Sequence, residues 1–384
     1  MIIRAFVILV MAYSLSACSW FGWGKEDTTE PPAELVDFDE KIRINELWSN
    51  STGSGAEELY LKLKPGIDGE RVFATNHEGD VYAFHAKTGE KLWEAELEKR
   101  VSGGTGVGEY KVFVGTSDAE VIALDQSDGK VSWIARVSSE VLSAPVASNG
   151  IVVIRTGDGK LFGLNATTGK RLWIYDRTIP VLTLRGTSSP VVVNNMVLAG
   201  FANGKLVSLN LASGKQIWET TIAAPRGRSE LERMVDIDAD PVVIGNLVYV
   251  VTFQGFMSVI DLHTGQILWT RKMSSSAGIN VDRSNMYVSD SDGHIWAFTR
   301  DSGRGLWKQE MLHARQISAP VVQGDYVVVG DLEGYLHWIS REDGSFVARE
   351  RADSAPIIAA PVVADDILYV VSKEGDLAAY RIER

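Results

Sequence analysis

The chain has 384 residues, 38 of them basic and 50 acidic, for a formal charge of −12. That balance excludes the electrostatic footprint of a nucleic-acid binder. A single cysteine, Cys18, excludes any intramolecular disulfide.

The N-terminus is built for export. Arg4 forms a short basic region, an apolar run follows to Tyr13, and Leu15-Ser16-Ala17-Cys18 closes it with small residues. The run is too short to span a bilayer and matches a cleaved signal peptide over residues 1–17. Leu-Ser-Ala-Cys resembles the bacterial lipobox, in which the cysteine is acylated and becomes the first residue of the mature protein. Several acyl chains on Cys18 would hold the protein firmly to a membrane. Ser19, rather than Asp, follows the cysteine. By the same resemblance, this favours the outer membrane over the inner one.

Residues 18–40 show no apolar alternation and contain Gly, Pro, Thr and Glu. They read as the lipidated cysteine plus a flexible tether. Trp20, Phe21 and Trp23 suit a membrane interface or loose packing within the tether.

From Lys41 to the end the chain repeats itself about every forty residues. Alternating Val/Ile/Leu/Tyr runs bounded by Gly, Asn and Asp mark it as all-β. Copies occupy residues 78–93, 118–133, 158–173, 203–218, 254–269, 292–307 and 333–348, and an eighth starts at Glu374. Each unit predicts four short strands, A to D. In the third unit these are residues 144–148, 151–156, 160–165 and 170–175. Four-stranded units in a ring make a β-propeller of eight antiparallel blades. The last unit lacks strand D, and residues 41–48 look like the missing strand. They are expected to pair beside residues 376–382 and close the ring.

The repeated tryptophans (Trp48, Trp93, Trp133, Trp173, Trp218, Trp269 and Trp307) are expected to wedge between blades, with each indole N–H on a backbone partner. Turn glycines such as Gly89 and Gly214 supply a backbone conformation that other residues resist. Ala348 stands in place of the eighth tryptophan. That seam should be looser, or filled by Phe346.

The spacing stretches in two places. From the D-strand tryptophan position to the next strand's Pro position, or its equivalent, the intervals are 11, 12, 17, 23, 9, 13 and 13. The long ones place insertions at residues 174–189 and 219–240, in adjacent connections on one face. The first contains Leu182, Leu184 and Arg185, apolar and Arg side chains suited to a partner surface. The second has a charged, helix-compatible stretch at residues 228–234. Asp236, Asp238 and Asp240 follow at alternate positions, on one side of an extended segment. Three carboxylates so placed suit a metal, a partner's N–H or basic groups, or solvent.

Catalytic patterns are absent from the sequence. The six histidines are scattered, and no HExxH, GxSxG or GxxxxGK[ST] pattern occurs. The glycine-rich residues 103–108 do not lie between a strand and a helix, and read as a blade connection.

The element seen as ALDQSDGKVSW, GLNATTGKRLW and VIDLHTGQILW resembles the blades of quinoprotein alcohol dehydrogenases. Those enzymes hold a calcium-bound quinone in the central channel, typically on a vicinal Cys-Cys disulfide, for which this chain has no second cysteine. The lipobox, tether, eight such blades and two insertions together resemble the BamB family, lipoproteins of the outer-membrane β-barrel assembly machinery. Leu182-Thr183-Leu184-Arg185-Gly186 and Met234-Val235-Asp236-Ile237-Asp238 carry that likeness locally. The resemblance implies that Leu182, Leu184, Arg185, Asp236 and Asp238 contact the periplasmic POTRA domains of BamA. It implies a non-enzymatic scaffold without a cofactor, lipid-anchored at the periplasmic face of the outer membrane and assisting unfolded outer-membrane proteins. A dehydrogenase-like propeller and a glycan- or protein-binding envelope propeller are the alternatives.

Overall fold

Eight four-stranded antiparallel sheets follow one another along the chain, and no helix interrupts them among the described residues. The computed structural model describes residues 30–57, 59–177, 180, 182–184 and 188–383. Cys18 and Arg185 lie outside these. The chain divides into two units, residues 1–32 and 33–384. Of the first, only residues 30–32 are described, and they carry no strand. The second is an eight-bladed β-propeller.

The third unit illustrates how closely the expected strands are met. They are Val146–Ser148, Ile151–Arg155, Leu161–Asn165 and Arg171–Tyr175, paired in that order. Neighbouring A strands contact one another, so A lines the axis and D forms the rim. The B-to-C turns and D-to-A connections lie on one face, here the upper. The A-to-B and C-to-D turns lie on the lower. Residues 103–108 belong to a long A strand, Val101–Gly108, and not to a blade connection. A Cβ on Gly106 would sit 2.0 Å from Pro145 O, which is why this strand is so rich in glycine.

The ring closes as expected. Ile44–Ser51 pairs antiparallel with Asp376–Ile382, Ile44 opposite Ile382 and Ser51 opposite Asp376. Blade 8 therefore takes its D strand from the start of the domain and leaves no open edge at the seam.

Hydrophobic clusters lie mostly between blades. Phe73 and Ala83 of blade 1, for example, pack with Val112, Val114 and Ile122 of blade 2. Each tryptophan caps such a seam. Six indole N–H groups donate to a backbone carbonyl of the next blade, at 2.7 to 3.0 Å. Each ring also covers the C-to-D turn glycine of that blade. Gly214 (φ +66°) shows the fit, since a Cβ there would lie 2.6 Å from the Trp173 ring. A Trp173→Phe variant keeps the ring but leaves the Leu211 carbonyl without its 2.7 Å donor. It is expected to lose about 1–2 kcal/mol in a denaturant melt.

The missing tryptophan has a structural reason. Blade 8 borrows its D strand, so it has no C-to-D turn for blade 7 to cover. The large ring has moved across the strand pair. Trp338 on strand C stands opposite Ala348, whereas Ala83, Ala123 and Gly163 stand opposite Trp93, Trp133 and Trp173. Trp338 is fully buried and donates to Gln323 Oε1 at 2.8 Å. Phe346 is buried as well.

Phe346 is also covered by a segment the sequence marks as tether. Phe38 stacks on it with centroids 5.4 Å apart, and Leu35 joins the same cluster. Ala33 N–H donates to His313 O, and Lys41 N–H to Val347 O. Residues 33–40 thus form a strap along the rim of blade 7.

Candidate functional site

The two insertions leave adjacent D strands, Arg171–Tyr175 and Gln216–Thr221. The structure brings them together through the carboxylates. Asp236 Oδ2 accepts the Leu184 N–H at 2.6 Å, and Asp240 Oδ1 accepts the Ser189 N–H at 2.5 Å. From below, Arg155 Nη1 donates to Ser188 Oγ at 2.7 Å and to Ser188 O at 3.2 Å. Leu182 is 42 % exposed and Leu184 is half-buried, so an apolar tip sits on a pinned base.

The sequence placed a carboxylate row on one side of an extended segment, but the segment forms no strand and its burial does not alternate, Ile237 and Ala239 being buried along with Asp236 and Asp238. Residues 234–240 carry no sheet pairing, and the chain bends at Ala239. Asp236 and Asp238, however, turn inward. They are 0 % and 5 % exposed, and the N–H groups that Asp236 and Asp240 accept belong to the protein itself. Their expected place on an exposed surface is corrected: both carboxylates lie inside the protein. The stretch at 228–234 is likewise a turn and not a helix. Glu232 reaches back to the N–H groups of Arg228 (2.7 Å) and Ser229 (3.3 Å), and Leu231 is left exposed. The segment is too short to nucleate more than a turn.

Three cations meet these acids. Arg155, 3 % exposed, carries charge toward all three, Lys64 Nζ pairs with Asp240 Oδ2 at 2.7 Å, and Lys62 faces Asp238 and Asp240. Burial pushes the Asp236 carboxyl up to about 6, against the Leu184 N–H and Arg155, which favour its charged form. Burial also pushes Asp238 up to about 7, helped by Asp236 and opposed by Lys62 and Arg155. Asp240 is held below its ordinary range, its burial outweighed by Lys64, the Ser189 N–H and Lys62. Lys62 is lowered, chiefly by burial. One oxygen on each of Asp236 and Asp238 has no hydrogen-bond partner. A cavity of about 220 Å³ opens beside them, lined by Lys62, Lys64, Ser143, Ser189, Asp238 and Asp240 among others.

Sequence reasoning missed the cations, though two signals were present. The interval from Trp48 to Pro65 is 17 residues, as long as the first insertion, and Lys62 and Lys64 lie in it. Arg155 ends a B strand where other blades carry Thr75, Gly115, Gly200, Val251 or Ser289. The Asp236 group does not assemble metal ligands. Among the described residues, ligand atoms converge within 4.8 Å only at Asp290, Asp292 and His294. There Asp290 Oδ2 already accepts the Trp296 indole N–H at 2.7 Å.

Known proteins are similar to this chain over most of its length. A family model described as "Outer membrane protein assembly factor BamB" matches residues 77–309 and 297–384. The protein of that name from Pseudomonas aeruginosa is 47 % identical over 323 residues, covering 84 % of each chain. The one from Marinobacter adhaerens is 52 % identical over 325 residues, covering 85 % of this chain and 82 % of its own. The crystal structure of BamB from Moraxella catarrhalis superposes with a TM-score of 0.82 at 24 % identity, over 88 % of this chain and all of that one. Quinohemoprotein alcohol dehydrogenase from Comamonas testosteroni shares the fold at 14 % identity and a TM-score of 0.69, over 88 % of this chain and 76 % of its own.

Proposed function

The chain belongs to the BamB family of outer membrane protein assembly factors, and from this we propose that it is a scaffold lipoprotein of the outer-membrane assembly machinery. Cys18 is its acylated anchor, which holds the propeller at the periplasmic face of the outer membrane. Its upper face docks on the POTRA domains of BamA and helps align unfolded outer-membrane proteins for insertion.

The observation that carries this reading is the construction of the Leu182 loop. An exposed leucine on a loop pinned from inside offers apolar contact at little cost in ordering. Leu182, Leu184 and Arg185 are the contacts in this reading. Asp236 and Asp238 serve from below as positioning residues. A quinone platform of the dehydrogenase kind does not fit, because a chain with one cysteine has no vicinal pair to stack it on.

Leu182→Asp is expected to weaken capture of BamA from solubilised membranes by about tenfold or more, as loss of an interface anchor does. Arg185→Ala is expected to act in the same direction, and both variants should retain the thermal midpoint of the parent. Undiminished capture in both would remove the site assignment. Family membership would stand regardless.

A further inference from the structure

Three polar groups with unused bonding capacity meet in the cavity of about 220 Å³ near the propeller axis. Asp238, 5 % exposed, has no hydrogen-bond partner for Oδ2 among the described residues, and Ser143, 4 % exposed, has none for Oγ. Lys62 Nζ donates to the Ser276 carbonyl at 3.2 Å, one of the three bonds an ammonium can make. Lys62 and Asp238 both line the cavity and face each other, yet they close no salt bridge. The neighbouring pair behaves differently, with Lys64 Nζ on Asp240 Oδ2 at 2.7 Å. A buried ion pair held open is costly, because each charge loses water without gaining a close partner. Burial lowers Lys62 and raises Asp238, as that cost requires.

The opposite wall is apolar. Ile279, Pro320 and Ile358 reach it from blades 6, 7 and 8. An apolar wall with a few convergent polar groups is the usual construction of a small-molecule site. A second cavity, of about 390 Å³, is lined by B-to-C turn residues such as Ser291 and Leu332, which places it toward the upper face. Lys62 and Ile358 line both cavities, and the exposed Tyr60 lines the upper one. Entry is therefore from above, past the Lys62 side chain.

The charges select the ligand. An anion would meet Lys62 but be repelled by Asp238, and a cation would meet the reverse. An uncharged molecule would leave both charges uncompensated. A molecule that carries both charges closes the pair. The volume has room for about seven waters at about 30 Å³ each, so the ligand is small. We propose that the axial cavity binds a free α-amino acid with an aliphatic side chain. Its ammonium lies on Asp238 Oδ2 and Ser143 Oγ, its carboxylate on Lys62 Nζ, and its side chain against Ile279, Pro320 and Ile358. The site stands whether or not the Leu182 loop docks a partner.

The test is calorimetric titration of the full-length protein at pH 8, where Asp238 is charged. The probes are L-leucine and two analogues that each lack one charge, 4-methylpentanoate and 3-methylbutylamine. Saturable heat is expected at millimolar L-leucine, with each analogue weaker by about tenfold or more, as a buried charge left unpaired dictates. L-Leucine should also raise the thermal midpoint of the parent. Asp238→Asn and Lys62→Met are each expected to weaken L-leucine by about tenfold or more. The analogues probe the pairing in the parent itself, whatever either variant does to the fold. Heat of dilution alone would mean that the cavity holds only water, and would overturn the proposal. Equal binding of all three compounds, or undiminished L-leucine binding in either variant, would overturn it too.

Discussion

Asp236→Ala is expected to abolish stable capture of BamA while leaving the propeller folded, and Asp236→Asn is expected to retain much of it. The distinction follows from where the side chain lies. Asp236 is fully buried and accepts the Leu184 N–H at 2.6 Å. It has no surface to offer a partner. Its substitution acts through the loop it holds. Alanine leaves the Leu184 amide without its acceptor, and the loop's ordering must then be paid at binding, on the order of 1–3 kcal/mol for a charge-assisted bond. Asparagine keeps an oxygen in the same place and preserves most of that order. A direct ionic contact with the partner would make asparagine as damaging as alanine. Amide exchange at Leu184 should follow the same order, fastest in alanine and slower in asparagine, with blade-core amides unchanged. Equal loss of capture in both variants, with Leu184 exchange unaltered, would return Asp236 to the interface.

How much of this was legible in the sequence depends on the range of the interactions involved. The blades were legible because each is local. A strand, a tight turn and a tryptophan recur within sixteen residues, as in 158–173, and a misread unit is corrected by its neighbours. Ring closure was legible because an orphan D strand and a blade without one are complementary halves. The inward turn of Asp236 was not. Alternation states that Asp236, Asp238 and Asp240 share a side, but outside a sheet it does not state which side faces water. That was decided by Arg155, 81 residues before Asp236, and by Leu184, 52 residues before it. The strap was hidden for the same reason. Its composition is that of a tether, and only the cluster between blades 6 and 7, distant in sequence, gives Leu35 and Phe38 something to pack on. Trp338 is the instructive intermediate case. An aromatic had moved from strand D to strand C within one unit, visible to anyone aligning the copies, yet its meaning depends on the cross-strand pairing with Ala348.

Asp238→Asn is expected to stabilise the protein at pH 8 and to flatten its pH dependence above pH 5. Burial raises the folded carboxyl from its ordinary 3.8 to about 7. An acid raised on folding contributes stability that is fully present below its unfolded value and is lost as pH rises through its folded value. The charged form is therefore the strained one, and the loss falls between about pH 4 and pH 7. A displacement of that size amounts to on the order of 4 kcal/mol for an isolated group. The measured gain should be smaller, because part of the rise comes from the charge of Asp236, which itself titrates near 6. Lys62 and Arg155 face Asp238 and offset part of the cost. Other groups titrate nearby. Glu350 and Asp376 are also raised, chiefly by burial, and act in the same sense. Buried His337, lowered from 6.5, acts in the opposite sense as pH falls. The difference between variant and parent, and not the slope of either, is thus the quantity to follow. The gap in thermal midpoint should be widest at pH 8 and should narrow steadily toward about pH 4. A variant less stable than its parent at pH 8, or a gap constant with pH, would show that Asp238 is charged at no cost in the fold. Retention of a destabilising carboxylate beneath the Leu182 loop has the form of a trade of stability for function. The same variant tests that as well. Greater stability with weaker BamA capture is expected if the charge helps to set the loop, and greater stability with undiminished capture would leave the carboxylate without a role in docking.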